Sequence, residues 1–325
     1  MVTMGSTDEK RWARTNLSGY VPVMFTPYTD TGAIDEAAVR NDVEYTLRLP
    51  GVGGLYVGSV WQEFWLLTIP ERKRLAEIVL DAVAGRVPVA VSATHTAPDD
   101  AVELASHAAE SGAGMIMLWP PFFGPRGQSG VLAFFDYVLG RVPAPFGVYN
   151  TGLSEVGYEM SLTLLRELAA RPQIALLLDG AVRLDLFLET LAAIGRDVMV
   201  TSPVEEYFLV ARMLYPEVAP DVLMGSSRAL FLQTPRQPYL HEFFVSVEKG
   251  QWHEAQKRLG WIMQAGEFAH GAVLREGKTP LGLIKAIRRA YGQSGGTPRV
   301  PVPAPSEAEV GDAISNLRAA GLDPL

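Results

Sequence analysis

The feature that most constrains this chain is an alternation. Eight short apolar runs recur along it: VPVMFTP (21–27), GGLYVGS (53–59), VPVAVSA (87–93), GMIMLWP (114–120), FGVYN (146–150), IALLLDG (174–180), DVMVTS (197–202) and DVLMGSS (221–227). Stretches of helical periodicity stand between them, from DEAAVRNDVEYTLRL (35–49) to EEYFLVARMLYPEV (205–218). A run that is apolar at consecutive positions must be covered on both faces, as a parallel strand is when helices pack on it. Parallel strands require crossovers, crossovers are right-handed, and eight such units close most simply into a (β/α)8 TIM barrel. The fold expected is therefore α/β, with the barrel over 17–236. Beyond the eighth run the pattern turns wholly helical, so 237–325 reads as a C-terminal helical region packed on the barrel. Residues 1–16, polar and charged, read as a flexible tail.

Composition narrows the functions open to such a barrel. A net charge of −8 leaves no basic surface for nucleic acid. The absence of cysteine excludes disulfides, thiolate nucleophiles and Cys-bearing metal sites. No apolar signal region opens the chain, and no segment offers about eighteen uninterrupted apolar residues. The expectation is a cytoplasmic protein that binds a small molecule and neither membrane nor nucleic acid. No GxGxxG, GxxxxGK or GxSxG follows a strand, so no nucleotide cofactor is implied.

Barrel chemistry sits where strands end at their C-terminal edge. That places attention on Ser59, Val60, Trp61, Gln62 and Glu63 after the second run, His95 after the third, and Tyr149 on the fifth. Leu178 on the sixth, Ser202 after the seventh and Ser226 after the eighth complete the set. His95 and Tyr149 are the candidates for proton transfer, and the others for substrate binding. Alternation along the sixth run turns Asp179 away from the barrel axis. A metal site would need Glu63, His95 and Glu205 to converge, and no ligand-spacing motif supports one; no metal is expected.

The pieces VPVMFTPYTDTGAID (21–35), EFWLLTIPER (63–72), the long segment from VPVAVSATHT to WPPFF (87–123), GVYN (147–150) and TPLGLIKAIRRAYG (279–292) occur in an order and spacing that resemble one family. That is the dihydrodipicolinate synthase and N-acetylneuraminate lyase family of class I aldolase-type barrels. The resemblance implies a strand-six lysine that forms a Schiff base with a 2-oxo acid, a strand-five tyrosine that moves protons, a loop after strand two that holds the substrate carboxylate, and a homo-oligomer. The tyrosine is matched by Tyr149. The lysine position falls on Leu178, which cannot form an imine. The loop's glycine, two threonines and glycine fall on Ser59, Val60, Trp61 and Gln62, so one hydroxyl remains and an indole is added. The segment after GVYN places Ser154 or Glu155 near the family's substrate-binding arginine. Of the lysines, Lys285 matches one that the family carries on its C-terminal helix, read as structural or at the surface. The functional expectation is a lyase-type enzyme, of aldolase, dehydratase or synthase character, that works on a carbonyl or carboxylate compound without a lysine imine and centres its acid–base chemistry on Tyr149. A silent ligand-binding or regulatory barrel and a metal-dependent, enolate-forming aldolase or hydratase are the alternatives.

Overall fold

The computed structural model describes residues 6–124, 126–152, 158–181, 183–271 and 279–324. All eight apolar runs contribute a strand: β1 (Gly19–Val21), β2 (Leu55–Val57), β3 (Val89–Ser92), β4 (Met115–Leu118), β5 (Phe146–Thr151), β6 (Ile174–Gly180), β7 (Met199–Thr201) and β8 (Val222–Met224). Strands β2 to β7 pair in parallel in chain order, and β1 pairs in parallel with β8. Parallel bridges from Tyr20 to Val52 and from Val23 to Tyr56 join β1 to the β2 side. At the other seam the Thr201 hydroxyl donates to the Val222 carbonyl at 2.7 Å. The barrel thus closes as the alternation requires.

Between the strands run α2 (Glu36–Leu47), α3 (Ile69–Val83), α4 (Pro98–Glu110), α5 (Gln128–Leu139), α6 (Leu162–Ala169), α7 (Leu184–Ile194) and α8 (Glu205–Leu214). Local chemistry sets several starts. Asp35 accepts from the Ala38 amide, Ser161 accepts from the Leu164 amide, and Thr68 with Glu71 forms a reciprocal capping box at α3. After β8 come α9 (Tyr239–Glu248), α10 (Trp252–Gly266), α11 (Leu281–Ala290) and α12 (Glu307–Ala319). Among the described residues no helix is long and apolar enough to cross a membrane.

The buried side chains divide into two apolar clusters, as a period of two dictates. Tyr56, Ala90, Met117, Tyr149, Leu176, Leu178 and Met224 belong to the lumen cluster, which continues into the C-terminal helices. Val57, Val91, Ile116, Val148, Leu177 and Val200 belong to the layer between strands and outer helices. The β5–β6 register shifts once, between Phe146 and Gly147, which leaves Ala175 as the extra residue. Beyond that bulge Tyr149 lies opposite Leu178, and Asn150 opposite Asp179.

The opening segment departs from the tail expected over 1–16. Residues Ser6–Asn16 form α1, with Ala13 fully buried. Lys10 donates to the carbonyls of Ala169 and Arg171, and Arg14 to those of Gly195 and Val198. These carbonyls lie where α6 and α7 end and the next strands begin. The charges that suggested a tail are instead donors to carbonyls at helix C-termini.

Candidate active site

The lumen at the C-terminal ends of β4 to β6 is built from aromatic rings. Tyr149 is 7% exposed, and its ring meets that of Trp119 at 4.3 Å between centroids. Phe64 packs on Trp119 at 5.4 Å and on Phe122 at 5.3 Å, while Trp61 tilts against Phe25 at 5.9 Å. The Trp119 indole N–H donates to the Tyr56 hydroxyl at 3.0 Å, so the indole is held by a polar tether as well as by packing.

Strand β6 leaves room for the phenol through a glycine. A Cβ on Gly180 would stand 2.9 Å from the Tyr149 hydroxyl, so any larger residue would push the ring out of place. The Thr151 side chain is a hydrogen-bond partner of Tyr149 and donates to the Gly180 carbonyl at 3.3 Å. The phenol, Thr151 and that carbonyl therefore form a short chain. Burial pushes the Tyr149 pKa up to about 12, against a smaller downward pull from Thr151. The phenol accordingly keeps its proton at neutral pH.

Leu178 is 1% exposed. Its methyl carbons lie 3.2 and 3.5 Å from where a Cβ of Gly225 would be, and Gly225 itself has φ of +91°. The β8 turn thus closes on the leucine through a residue that only glycine fills easily.

The loop after β2 behaves differently from its sequence reading. Val60–Gln62 and Phe64–Leu66 are single 3-10 turns joined at Glu63, which sits in the left-handed region at φ 54° and ψ 39°. That conformation is uncommon for a residue with a side chain. Here the side chain is anchored, because Lys285 of α11 donates to it at 2.7 Å with both groups fully buried. Glu63 is therefore spoken for, and substrate binding through its carboxylate is not what this geometry offers. Burial raises the Glu63 pKa and lowers that of Lys285, each opposed by the partner's charge. Lys285, read as structural or at the surface, is among the most enclosed groups in the molecule, with its ammonium 4.6 Å above the Tyr28 ring. The buried side of α11 carries Lys285 and Arg288 together with Ile284 and Ile287.

Gln62 and Ser59 remain available. The Gln62 carbonyl oxygen of the side chain accepts from the Gly58 amide at 2.5 Å. Its amide nitrogen and the Ser59 hydroxyl are buried and have no hydrogen-bond partner among the described residues. Val60 and Trp61, at 5% and 7% exposure, add apolar wall.

Other candidates are engaged in structural roles. The Ser226 hydroxyl donates to Glu205 at 2.8 Å and accepts from the Arg228 amide. Glu205 also binds Arg228 at 2.6 Å, and Glu206 holds the same guanidinium at 2.7 Å. Ser202 accepts from the Val204 amide. His95 lies in a crevice of about 300 Å³ shared with Trp65, Arg72 and Phe122. Its Nδ1 is 3.1 Å from Asp100 and accepts from the Ala97 amide. Glu63, His95 and Glu205 thus have three separate partners, and among the described residues no group of three His, Cys, Asp or Glu side chains is placed to hold a metal ion. Ser154 and Glu155 lie outside the described residues.

A closed parallel barrel with a largely aromatic lumen and the buried phenol of Tyr149 at the C-terminal edge of β5 defines the class as a barrel with a lumen site. Residues 16–215 match the model of the dihydrodipicolinate synthetase family, and the chain belongs to that family. The 4-hydroxy-tetrahydrodipicolinate synthase of Agrobacterium fabrum is 32% identical over 179 residues, which are 55% of this chain and 60% of that protein. The enzyme of the same name from Bartonella henselae is 34% identical over 152 residues, 47% of this chain and 51% of that protein. The chain therefore matches just over half the length of these curated relatives. Among solved structures, a dihydrodipicolinate synthase from Bacillus anthracis superposes with a TM-score of 0.82 at 20% identity, covering 94% of this chain and 98% of that one. CdNal from Clostridium difficile, in complex with mannosamine, gives 0.82 at 19% identity, covering 94% and 99%. At such identities the likeness establishes the fold.

Proposed function

We propose that this protein is a lyase- or synthase-type enzyme that acts on a small carbonyl or carboxylate compound in the barrel lumen, moves a proton through Tyr149 and forms no lysine imine. Family membership supports the reaction type. The observation that carries the finer reading is the pairing of Tyr149 with Leu178 across β5 and β6. The proton-transfer group is kept at the position the resemblance implies, while its neighbour is a leucine.

Without an imine, electrons released when a bond to carbon breaks must be taken up by a carbonyl oxygen. That oxygen needs donors in a dry site, where each hydrogen bond is strongest. The neutral phenol of Tyr149 is one. With its pKa at about 12 it acts first as a donor, and Thr151 can turn its hydroxyl toward the phenolate that results. The unpartnered Ser59 hydroxyl and Gln62 amide are two further donors for the same ligand. The aromatic wall favours a less acidic compound than a dicarboxylate. His95, engaged with Asp100 and the Ala97 amide, is given no part in the proton transfer. As in the family it resembles, the protein is proposed to work as a homo-oligomer.

Borohydride trapping tests this reading. Wild type incubated with pyruvate and borohydride should show no mass adduct, whereas Leu178→Lys should gain a reduced pyruvyl adduct on the new lysine. An adduct on wild type would restore imine chemistry and overturn the proposal. On whichever member of a 2-oxo acid and aldehyde panel wild type consumes, Tyr149→Phe should lower turnover by about a hundredfold or more. Binding without turnover of any panel member would favour a silent barrel.

A further inference from the structure

The outer face of β5 and β6 carries a second cavity, separate from the lumen. It has a volume of about 260 Å³ and lies between these strands, residues 159–162 at the start of α6, and α7. Its polar floor is Asn150 and Asp179, its apolar wall includes Met160 and Leu186, and Glu159 and Glu189 stand among its lining. Asn150 and Asp179 reach it because they alternate with Tyr149 and Leu178 along the same strands.

The floor is built with one position left open. Asn150 accepts from the Met160 amide at 2.9 Å and donates to Oδ1 of Asp179 at 3.1 Å. The Ala181 amide donates to that same Oδ1 at 3.2 Å. Oδ2 has no partner within hydrogen-bond geometry, although Asp179 is only 1% exposed; the Thr190 hydroxyl, also in the lining, exerts only a small pull on the carboxyl. A buried carboxyl oxygen left without a donor is costly, and a protein ordinarily meets that cost with a ligand, a water or a proton.

We propose that this cavity binds a small organic ammonium ion, with Asp179 as the counter-charge at its floor. Several observations select that class. Among the described residues the lining brings three carboxyl groups and no basic side chain, so the cavity attracts cations. Arg183, nearby at the start of α7, is already paired with Asp185. The described residues offer no group of three ligands for a metal ion, and the cavity is several times larger than a bare ion needs. Met160 and Leu186 give carbon atoms a surface to cover, which suits an alkyl ammonium.

Occupation and ionisation are linked. Burial raises the Asp179 pKa to about 7, with the Ala181, Asn150 and Thr190 donors opposing the rise and Glu159 adding to it. The groups around it are Glu159, Glu189, the Arg183–Asp185 pair and Tyr207 of α8, whose own pKa is raised in part by Asp179. The empty site holds a proton below neutrality, and an arriving ammonium displaces it. Apparent affinity should therefore rise about tenfold from pH 6 to pH 8.

Calorimetry with butane-1,4-diammonium as the probe, in two buffers of different ionisation enthalpy, tests this directly. Binding should release a fraction of a proton near pH 6.5 and almost none at pH 8. Asp179→Asn, which keeps an acceptor for Asn150 and Ala181, should abolish binding. Should that variant fail to fold, Glu159→Gln with Glu189→Gln at the exposed edge should weaken binding several-fold. Heat that is independent of pH and survives both variants, or binding of potassium or magnesium in place of the diammonium, would overturn the proposal.

Discussion

Two buried regions of this barrel lie close together and use polar atoms in opposite ways. Around the ends of β8, β1 and β2, buried charges meet opposite charges: Glu63 with Lys285, Glu205 and Glu206 with Arg228, and Asp42 with Arg288 at 3.2 Å, although Glu63 Oε1, Arg228 Nε and Arg288 Nη1 keep no hydrogen-bond partner among the described residues. At the lumen edge of β4 to β6 there is no buried ion pair among the described residues and rings dominate, while the loop after β2 leaves unmatched the Ser59 hydroxyl and the Gln62 amide, the latter one residue before Glu63. Paired charges fasten the C-terminal helices to the barrel. Unmatched donors in an uncharged pocket cost stability and gain a use only when a ligand arrives. The contrast separates what holds this fold from what is available for chemistry.

The largest effect should come from unbalancing the fastened side. Lys285→Met leaves Glu63 buried without its cation and should cost about 3–5 kcal/mol in urea unfolding. Adding Glu63→Leu to the same chain should recover most of that loss. A single-variant loss under about 1 kcal/mol would mean that the pair is solvated and the contrast false.

Next in size is Asp179, whose folded-state pKa is raised, so the stability tied to its proton is full at low pH and lost as pH rises through about 7. Asp179→Asn removes that loss and should stabilise the ligand-free protein at pH 8 by up to about 4 kcal/mol, the shift of some three units setting the ceiling. The gain should vanish toward pH 4. Melting curves of both proteins at pH 5, 6, 7 and 8 would show the two lines converging on the acid side; parallel lines would contradict the shift.

The smallest effect belongs to the rim. His95→Gln should change stability by less than about 1 kcal/mol, since its Asp100 contact is half exposed, and should alter kcat by less than about threefold. A loss comparable to that of Tyr149→Phe would move His95 back into the reacting centre.

The strand positions, the closure and the outward turn of Asp179 were legible in the sequence because a period of two leaves its mark residue by residue. Tyr149 and Leu178 were singled out through the resemblance, but that they stand opposite each other follows from the register shift between Phe146 and Gly147, which no local pattern announces. Pairings between distant elements were not legible. Nothing local distinguishes Lys285 from a solvent-facing lysine, and nothing in QEF announces that Glu63 adopts φ 54°. Ser226 looked free because its acceptor, Glu205, lies on the preceding helix. Helix α1 was hidden for the same reason: Lys10 and Arg14 find their carbonyl partners more than 150 positions away.

Glu63 and Lys285 are separated by 222 positions in the chain, and Asp42 and Arg288 by 246. Every strand of the barrel is synthesised before α11 exists. A nascent chain that has closed its sheet still carries two acids in low-dielectric surroundings, without counter-ions, until the last fifth of the polypeptide arrives. Such long-range closure slows folding and prolongs the exposure of unfinished intermediates. The rate of native assembly should therefore follow the docking of α11 more closely than the pairing of the strands.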